Sequence, residues 1–477
     1  MKHRNLIALF ISSVFAIVFY LLNPIGLEAG ANKAVTVALL MIALWVSEAL
    51  PMPVVALLPI VLFPFLGIAP IDITASSYAN PVIFLFMGGF MLGLAIEKWN
   101  LHRRIALNIV KATGTSGDRI VLGFILATGF ISMWLSNTAT AMMMFPIALS
   151  VIAVIQESHP DRKGASQFSL SVMLAIALSA NFGGIATIIG TPPNVAYAAF
   201  INKRYDYSID FFKWMLLCFP IALSLMFILY WVMVKWLYPN YMKEDAVTKS
   251  IIDREVKALG PMSKAEKRVL TVFALTAFLW MSKGLLNKIE WISLDDNMIA
   301  IAGATLLFIV PSSVKGATSL LDWSDTKKMA WGILLLFGGG IALATSLERA
   351  GIMELMGTWF AQFAFNKLLL LLLVTTISIF ISEVMSNVAQ VIVFAPIVTS
   401  LAEATGHHPL ELGIPMTLAA SCASMLPMGT PPNAIAFSSG YIKLNQMIRV
   451  GFIMNIISII LITLFGWLLL PVLMQLN

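Results

Sequence analysis

Two short polar strings interrupt otherwise apolar stretches of this sequence: Ser132-x-x-x-Ser136-Asn137-Thr138 and, 250 residues further on, Ser382-x-x-x-Ser386-Asn387-Val388. Hydroxyl and amide oxygens are hard ligands suited to an alkali cation, and amide N–H groups donate to a carboxylate. Ser132 and Ser382 stand one helical turn before the Ser-Asn pair, on the same face. In hydrocarbon each of these polar groups needs a partner, and Ser and Asn compete for nearby backbone, so the helix is expected to break there. A broken helix exposes N–H groups on one half and C=O groups on the other, so one interruption can cradle an anion and a cation together. A single copy reads equally well as interhelical hydrogen-bonding glue. Two copies at one offset favour a site.

A second string, Gly190-Thr191-Pro192-Pro193-Asn194, recurs as Gly429-Thr430-Pro431-Pro432-Asn433. Two prolines remove two backbone donors and glycine permits a sharp bend, which frees upstream carbonyls for a cation. Thr191, Asn194, Thr430 and Asn433 are then available to a substrate. One copy would be an ordinary proline kink; duplication again points to function. The centres of these strings contain no Lys or Arg. A bound anion would have to be met by helix ends, amides, hydroxyls and co-bound cations, which points to cation coupling. Glu383 is the ionisable exception inside a span, able either to tune a cation site or to pair with a neighbour. Glu48, before Pro51, reads as a helix end at the membrane interface. His407 and His408 fall in a polar loop with nothing to suggest a metal site, and the five histidines supply no acid/base or nucleophile constellation for an enzyme.

The elements that must position these strings are membrane helices. Of 477 residues, 59% are hydrophobic and 11% charged, far from the soluble norm. At roughly 20 residues per crossing the chain has room for about ten or more spans. Apolar runs at 6–22, 34–50, 53–70, 119–155, 168–189, 211–237, 267–281, 297–311, 367–402, 412–437 and 447–474 give eleven candidate crossings. The first reads as a retained helix, since no small-residue cleavage pattern follows it. Shorter apolar segments at about 81–96 and 330–346 carry glycine pairs and read as re-entrant hairpins. The net charge of +6 comes from basic residues clustered in loops, a matter of topology and not of nucleic acid. Cys218 and Cys422 lie in apolar segments and support neither disulfide nor thiolate metal chemistry.

The order of glycine pair, Ser-Asn string and Gly-Thr-Pro-Pro-Asn string holds in both halves: Phe86-Met87-Gly88-Gly89 recurs as Leu336-Phe337-Gly338-Gly339. Five crossings per repeat is odd, so the halves take opposite orientations, the inverted-repeat plan of secondary transporters. The resulting division is an extra N-terminal helix (1–30), a first repeat (31–237), a linker (238–266) rich in charge, including Lys243, Glu244 and Asp245, and a second repeat (267–477). The positive-inside rule puts the N-terminus and linker in the cytoplasm and the C-terminus outside.

At these strings the sequence resembles the divalent anion/sodium symporter family of dicarboxylate, citrate and sulfate carriers, from Trp45-x-x-Glu48-Ala49-Leu50-Pro51 through Gly429-Thr430-Pro431-Pro432-Asn433-Ala434-Ile435. The resemblance implies a homodimer working by elevator-type alternating access, with a static scaffold and a moving transport part. It implies sodium as the coupling ion and no other cofactor, with one ion held by Ser132, Ser136, Asn137 and Gly190 and a second by Ser382, Asn387 and Gly429. It places an anionic substrate against Ser136, Asn137, Thr138, Ser386, Asn387 and Val388, with Thr191, Pro192, Thr430 and Pro431 nearby. Val388 departs from the threonine often found in bacterial dicarboxylate carriers; valine there, like Glu383, resembles the sodium-coupled animal members. The function implied is sodium-coupled import of di- or tricarboxylates across a bacterial inner membrane, the alternatives being a sodium-independent exchanger or a sulfate carrier of the same fold.

Overall fold

The structure is a computed structural model describing residues 3–158, 162–242, 246–314, 317–360, 362 and 366–474. Lys243, Glu244 and Asp245 of the linker lie outside the described residues. In chain order the helices are α1 (His3–Leu22), α2 (Ala29–Ser47), α3 (Met52–Val55), α4 (Leu58–Leu66), α5 (Ile71–Ser76), α6 (Pro81–Lys98) and α7 (Leu101–Thr113). There follow α8 (Gly117–Ser132), α9 (Asn137–Ser158), α10 (Arg162–Gly184), α11 (Pro192–Tyr205), α12 (Phe211–Tyr230) and the linker helix α13 (Ala246–Ala258). Then come α14 (Lys264–Leu286), α15 (Asp296–Ile309), a small antiparallel pair β1 (Pro311–Val314) and β2 (Ala317–Ser319), α16 (Trp331–Arg349) and α17 (Ile352–Phe360). The last are α18 (Lys367–Ser382), α19 (Asn387–Ala404), α20 (Pro409–Ala420), α21 (Pro431–Ser438), α22 (Leu444–Leu468) and α23 (Leu470–Leu473).

Among the described residues ten helices are long and apolar enough to cross a membrane, and three shorter apolar ones accompany them. Large side chains such as Phe10, Phe65 and Leu21 are exposed, as a lipid-facing skin requires. Helix α10 is the opposite case. Leu170, Val172, Met173, Leu174, Ile176 and Leu178 are all buried, so apolar residues cover every face, the mark of a central post. It packs against α8, α9, α12 and α21. Its approach to α8 is close because glycine meets glycine: a Cβ on Gly183 would fall 2.1 Å from the Gly129 carbonyl oxygen.

The glycine pairs at 88–89 and 338–339 do something other than turn the chain. The segments expected as re-entrant hairpins, 81–96 and 330–346, are single uninterrupted helices, α6 and α16. Pro81 sits in the first turn of α6, where its missing N–H costs nothing. The glycines are notches for neighbours: a Cβ on Gly88 would lie 2.6 Å from the Ala300 carbonyl carbon of α15, and one on Gly339 would lie 2.3 Å from the Ala56 carbonyl oxygen. The chain reverses instead inside two segments expected as single crossings. Run 119–155 is α8 and α9 joined at 133–136, and run 367–402 is α18 and α19 joined at 383–386. Glu48 caps α2 in the left-handed region at φ 49° and is exposed.

Ion pairs mark the two ends of the bundle. At one, Arg103, Arg104 and Lys111 of α7 pair with Glu255, Glu266 and Asp253 of the linker region, and Asp118 at the start of α8 pairs with Lys235. At the other, Arg204 in the last turn of α11 pairs with Glu348 and Glu403, which end α16 and α19. So α8 departs from the linker end, whereas α19 finishes at the Arg204 end.

Candidate functional site

Each reversal carries the chain out of regular helix for a few residues, and each lies against a second break, 185–191 between α10 and α11 and 421–430 between α20 and α21. Helix α20 has 12 residues and α11 has 14; at 1.5 Å per residue they reach roughly 18 and 21 Å, short of a hydrocarbon core of about 30 Å. Thr191 and Thr430 are the N-cap residues of α11 and α21, with prolines in the first turn behind them. Proline is well placed there because the first N–H groups of a helix have no internal partner.

The first cluster forms where the α8–α9 turn meets the end of α10. Ser132 is fully buried, and its Oγ donates to the Ala180 carbonyl at 2.7 Å. The Asn137 amide is satisfied at both ends when its Nδ2 donates to Ser132 Oγ at 2.8 Å, Ala180 O at 3.1 Å and Gly190 O at 3.3 Å. Thr187 Oγ1 donates to the Met133 carbonyl at 2.5 Å. Gly190 is required by crowding: its Cβ would lie 2.4 Å from Gly184 O and 3.0 Å from Met133 O. Carbonyl oxygens of Met133, Ala180, Gly184 and Gly190 thus gather around the Ser132 and Thr187 hydroxyls and the Asn137 amide, a neutral oxygen-rich setting of the kind hard cations take.

The second cluster repeats the first contact for contact at its start. Ser382 is fully buried, with Oγ 2.7 Å from Asn387 Oδ1 and against the Ala420 carbonyl, so one hydroxyl proton is offered to two acceptors. It then departs. Glu383, 3% exposed, accepts at Oε1 from the Ser424 and Met425 N–H groups at 2.8 and 2.9 Å and from Asn455 Nδ2 at 2.7 Å, and at Oε2 from the Leu426 N–H at 3.0 Å. A Cβ on Gly429 would lie 3.1 Å from that Oε2. Gly429 therefore stands beside the carboxylate.

Ser136, Asn137 and Thr138 are half-buried, as are Ser386, Asn387 and Val388. Both triplets show a face to open space. Ser136 Oγ accepts weakly from the Ala139 N–H at 3.3 Å, and Ser386 is the N-cap of α19 without a side-chain capping bond. Ser136 also lines a cavity of about 90 Å³ with Glu97, Trp134, Ile189 and Lys328. Thr191 and Thr430 are buried, Pro192 half-buried and Pro431 exposed.

The two clusters are joined by a residue the sequence reading passed over. Asn181 of α10 donates through Nδ2 to Thr430 Oγ1 at 3.0 Å and to Asn433 Oδ1 at 3.3 Å. A lone amide deep in an apolar helix is the signal that could have drawn notice. Asn455 of α22 was passed over too, and nothing local to it announces its partner. Among the described residues no group of His, Cys, Asp and Glu could hold a metal by side chains of those types.

The sequence pattern of the family described as "Sodium:sulfate symporter transmembrane region" matches residues 2–476. The chain is 37% identical over 467 residues to the sodium-dependent dicarboxylate transporter SdcS of Staphylococcus saprophyticus, covering 96% of this chain and 90% of that one. It is likewise 37% identical over 478 residues to SdcS of Staphylococcus aureus strain USA300, covering 97% and 91%. In fold it resembles the YdaH transporter of Alcanivorax borkumensis, with a TM-score of 0.58 at 12% identity over 83% of this chain and 86% of that one. The Neisseria gonorrhoeae MtrF structure follows with a TM-score of 0.54 at 13% identity, covering 82% of each chain.

Proposed function

The chain belongs to the sodium:sulfate symporter family, and from that premise we propose that it is a sodium-coupled importer of di- or tricarboxylates, C4 acids of the succinate, malate and fumarate class first. The observation that carries this reading is the pair of buried Ser–Asn clusters, Ser132 with Asn137 and Ser382 with Asn387, each against a backbone carbonyl of a neighbouring helix, Ala180 of α10 and Ala420 of α20. They offer alkali ions neutral oxygen ligands. The half-buried faces of Thr138, Ser386 and Val388 remain for an acid whose charge is met by amides, helix ends and the bound cations.

In this reading one sodium is held by Ser132, Ser136, Asn137 and Gly190, and another by Ser382, Asn387 and Gly429. Substrate lies between the Ser-Asn turns, with Thr191, Pro192, Thr430 and Pro431 at its edge. The part that moves contains both Ser-Asn turns and both Gly-Thr-Pro-Pro-Asn breaks against a static scaffold, and the assembly is a homodimer in a bacterial inner membrane. The halves 31–237 and 267–477 are inverted repeats, the N-terminus and linker are cytoplasmic and the C-terminus is outside. The departure of α8 from the linker end and the arrival of α19 at the Arg204 end support the inversion. No enzymatic step is part of this reading.

The test is radiolabelled succinate uptake into proteoliposomes with and without an inward sodium gradient. Uptake should need sodium and saturate. Uptake that ignores sodium but requires internal dicarboxylate would establish an exchanger, and competition by sulfate but not succinate would establish a sulfate carrier.

A further inference from the structure

The two clusters share Ser–Asn chemistry but not charge. Met133 occupies, in the first turn, the place that Glu383 occupies in the second: each follows the buried serine and precedes the asparagine by four residues. In the first turn the tie to the neighbouring unwound segment is neutral, Thr187 Oγ1 donating to the Met133 backbone carbonyl. In the second it is made by the Glu383 carboxylate, which gathers three consecutive backbone N–H groups from 424–426.

This has a consequence for the backbone. Helix α10 runs four residues past Ala180, to Gly184, whereas α20 stops at Ala420, the residue that receives the equivalent serine contact. N–H groups that would continue a helix are turned toward Glu383 instead, in the manner of an anion bound by successive amides. Among the described residues every donor to the carboxylate is a neutral amide: three of the main chain and that of Asn455. The carboxyl group so held stands beside Gly429, whose Cβ would come within 3.1 Å of Oε2.

We propose that Glu383 supplies a fixed negative charge to the second cation site, making the two sodium sites electrostatically unequal, and at the same time holds segment 421–430 unwound. The proposal rests on the sodium-symport reading above. The second site binds its ion more tightly and fills at lower sodium, while the first, lined only by neutral oxygens, sets the upper part of the sodium dependence. A unit charge at this range in a protein-like dielectric changes the affinity for a monovalent cation by roughly tenfold or more.

The experiment compares wild type, Glu383→Gln and Asn455→Ala in full-length protein. It reads the sodium half-saturation of succinate uptake in proteoliposomes and sodium-induced thermal stabilisation of the purified protein, with choline as the control cation. E383Q is expected to raise the half-saturation about tenfold or more in both readouts. N455A, which removes a neutral donor and leaves the charge, should lower thermal stability with little shift in sodium dependence. A folded E383Q with wild-type sodium half-saturation, or N455A shifting it as far as E383Q does, overturns the proposal. If E383Q does not yield folded protein, Glu383→Asp gives the answer: the retained charge should keep the half-saturation within about threefold, and a tenfold rise overturns the idea. Wild-type uptake that ignores sodium would instead defeat the symport reading itself, so the two failures are told apart.

Discussion

Asn181 and Thr430, separated by 249 residues, are joined by a 3.0 Å hydrogen bond from Nδ2 to Oγ1 in the interior. The same amide reaches Asn433 Oδ1 at 3.3 Å, so one side chain of the central helix α10 fixes the N-cap of α21. Asn181→Ala leaves two buried acceptors without that donor, a loss of about 1–3 kcal/mol. We expect a lowered melting temperature and a raised KM for succinate at saturating sodium. Unchanged KM and stability would remove Asn181 from the site.

The paired serines give a second prediction. Ser132→Ala takes from Asn137 and the Ala180 carbonyl the hydroxyl that joins them, and Ser382→Ala does the same for Asn387 and Ala420. Each variant should raise the sodium half-saturation of uptake several-fold, at a stability cost of about 1–3 kcal/mol. Asn137→Ala and Asn387→Ala, which remove the amide itself, should abolish coupled uptake in protein that still purifies as a folded species. Full activity in either would undercut the ligand assignment.

Gly184 tests the geometry without removing any ligand. A Cβ there would lie 2.2 Å from one terminal atom of the Asn137 amide and 3.0 Å from its Cγ, and that amide is held in place by Ser132, Ala180 and Gly190. Gly184→Ala should therefore cut uptake more than tenfold, since the amide must move and a packed interior gives little room. Retention of sodium-dependent uptake would mean that the Asn137 amide is free to shift.

Acid should weaken a tie at the Arg204 end. Burial alone would push the Asp210 carboxyl up, but the bond from Lys283 and the N–H of Lys213 outweigh it, and the group sits below its ordinary value. A lowered carboxyl contributes stability that is present above the unfolded value, near 3.9, and is lost as pH falls through the folded one. The difference in melting temperature between wild type and Asp210→Asn should accordingly be constant near neutrality, worth about 1 kcal/mol or less, and should shrink below about pH 4. A difference that grows on acidification would contradict the assignment.

The membrane class, the family and the two interruptions were legible in the sequence because each is a local property. A run of apolar residues states its solvent, a buried Ser-Asn pair competes with its own helix, and Pro-Pro after Gly-Thr interrupts the helix before it, with Pro192 and Pro431 opening the next. The glycine pairs show where such reading stops. Gly88-Gly89 and Gly338-Gly339 permit a turn as readily as a close contact, and only the presence of Ala300, Ala56 and Tyr78 opposite them makes α6 and α16 continuous, notched helices. The partners of Glu383 and Asn181 were likewise settled by tertiary packing: Asn455 lies 72 residues beyond the first, Thr430 249 beyond the second. Chain neighbours decide whether a backbone bends, but what faces a buried polar group depends on how helices distant in sequence are stacked, and no local pattern records that.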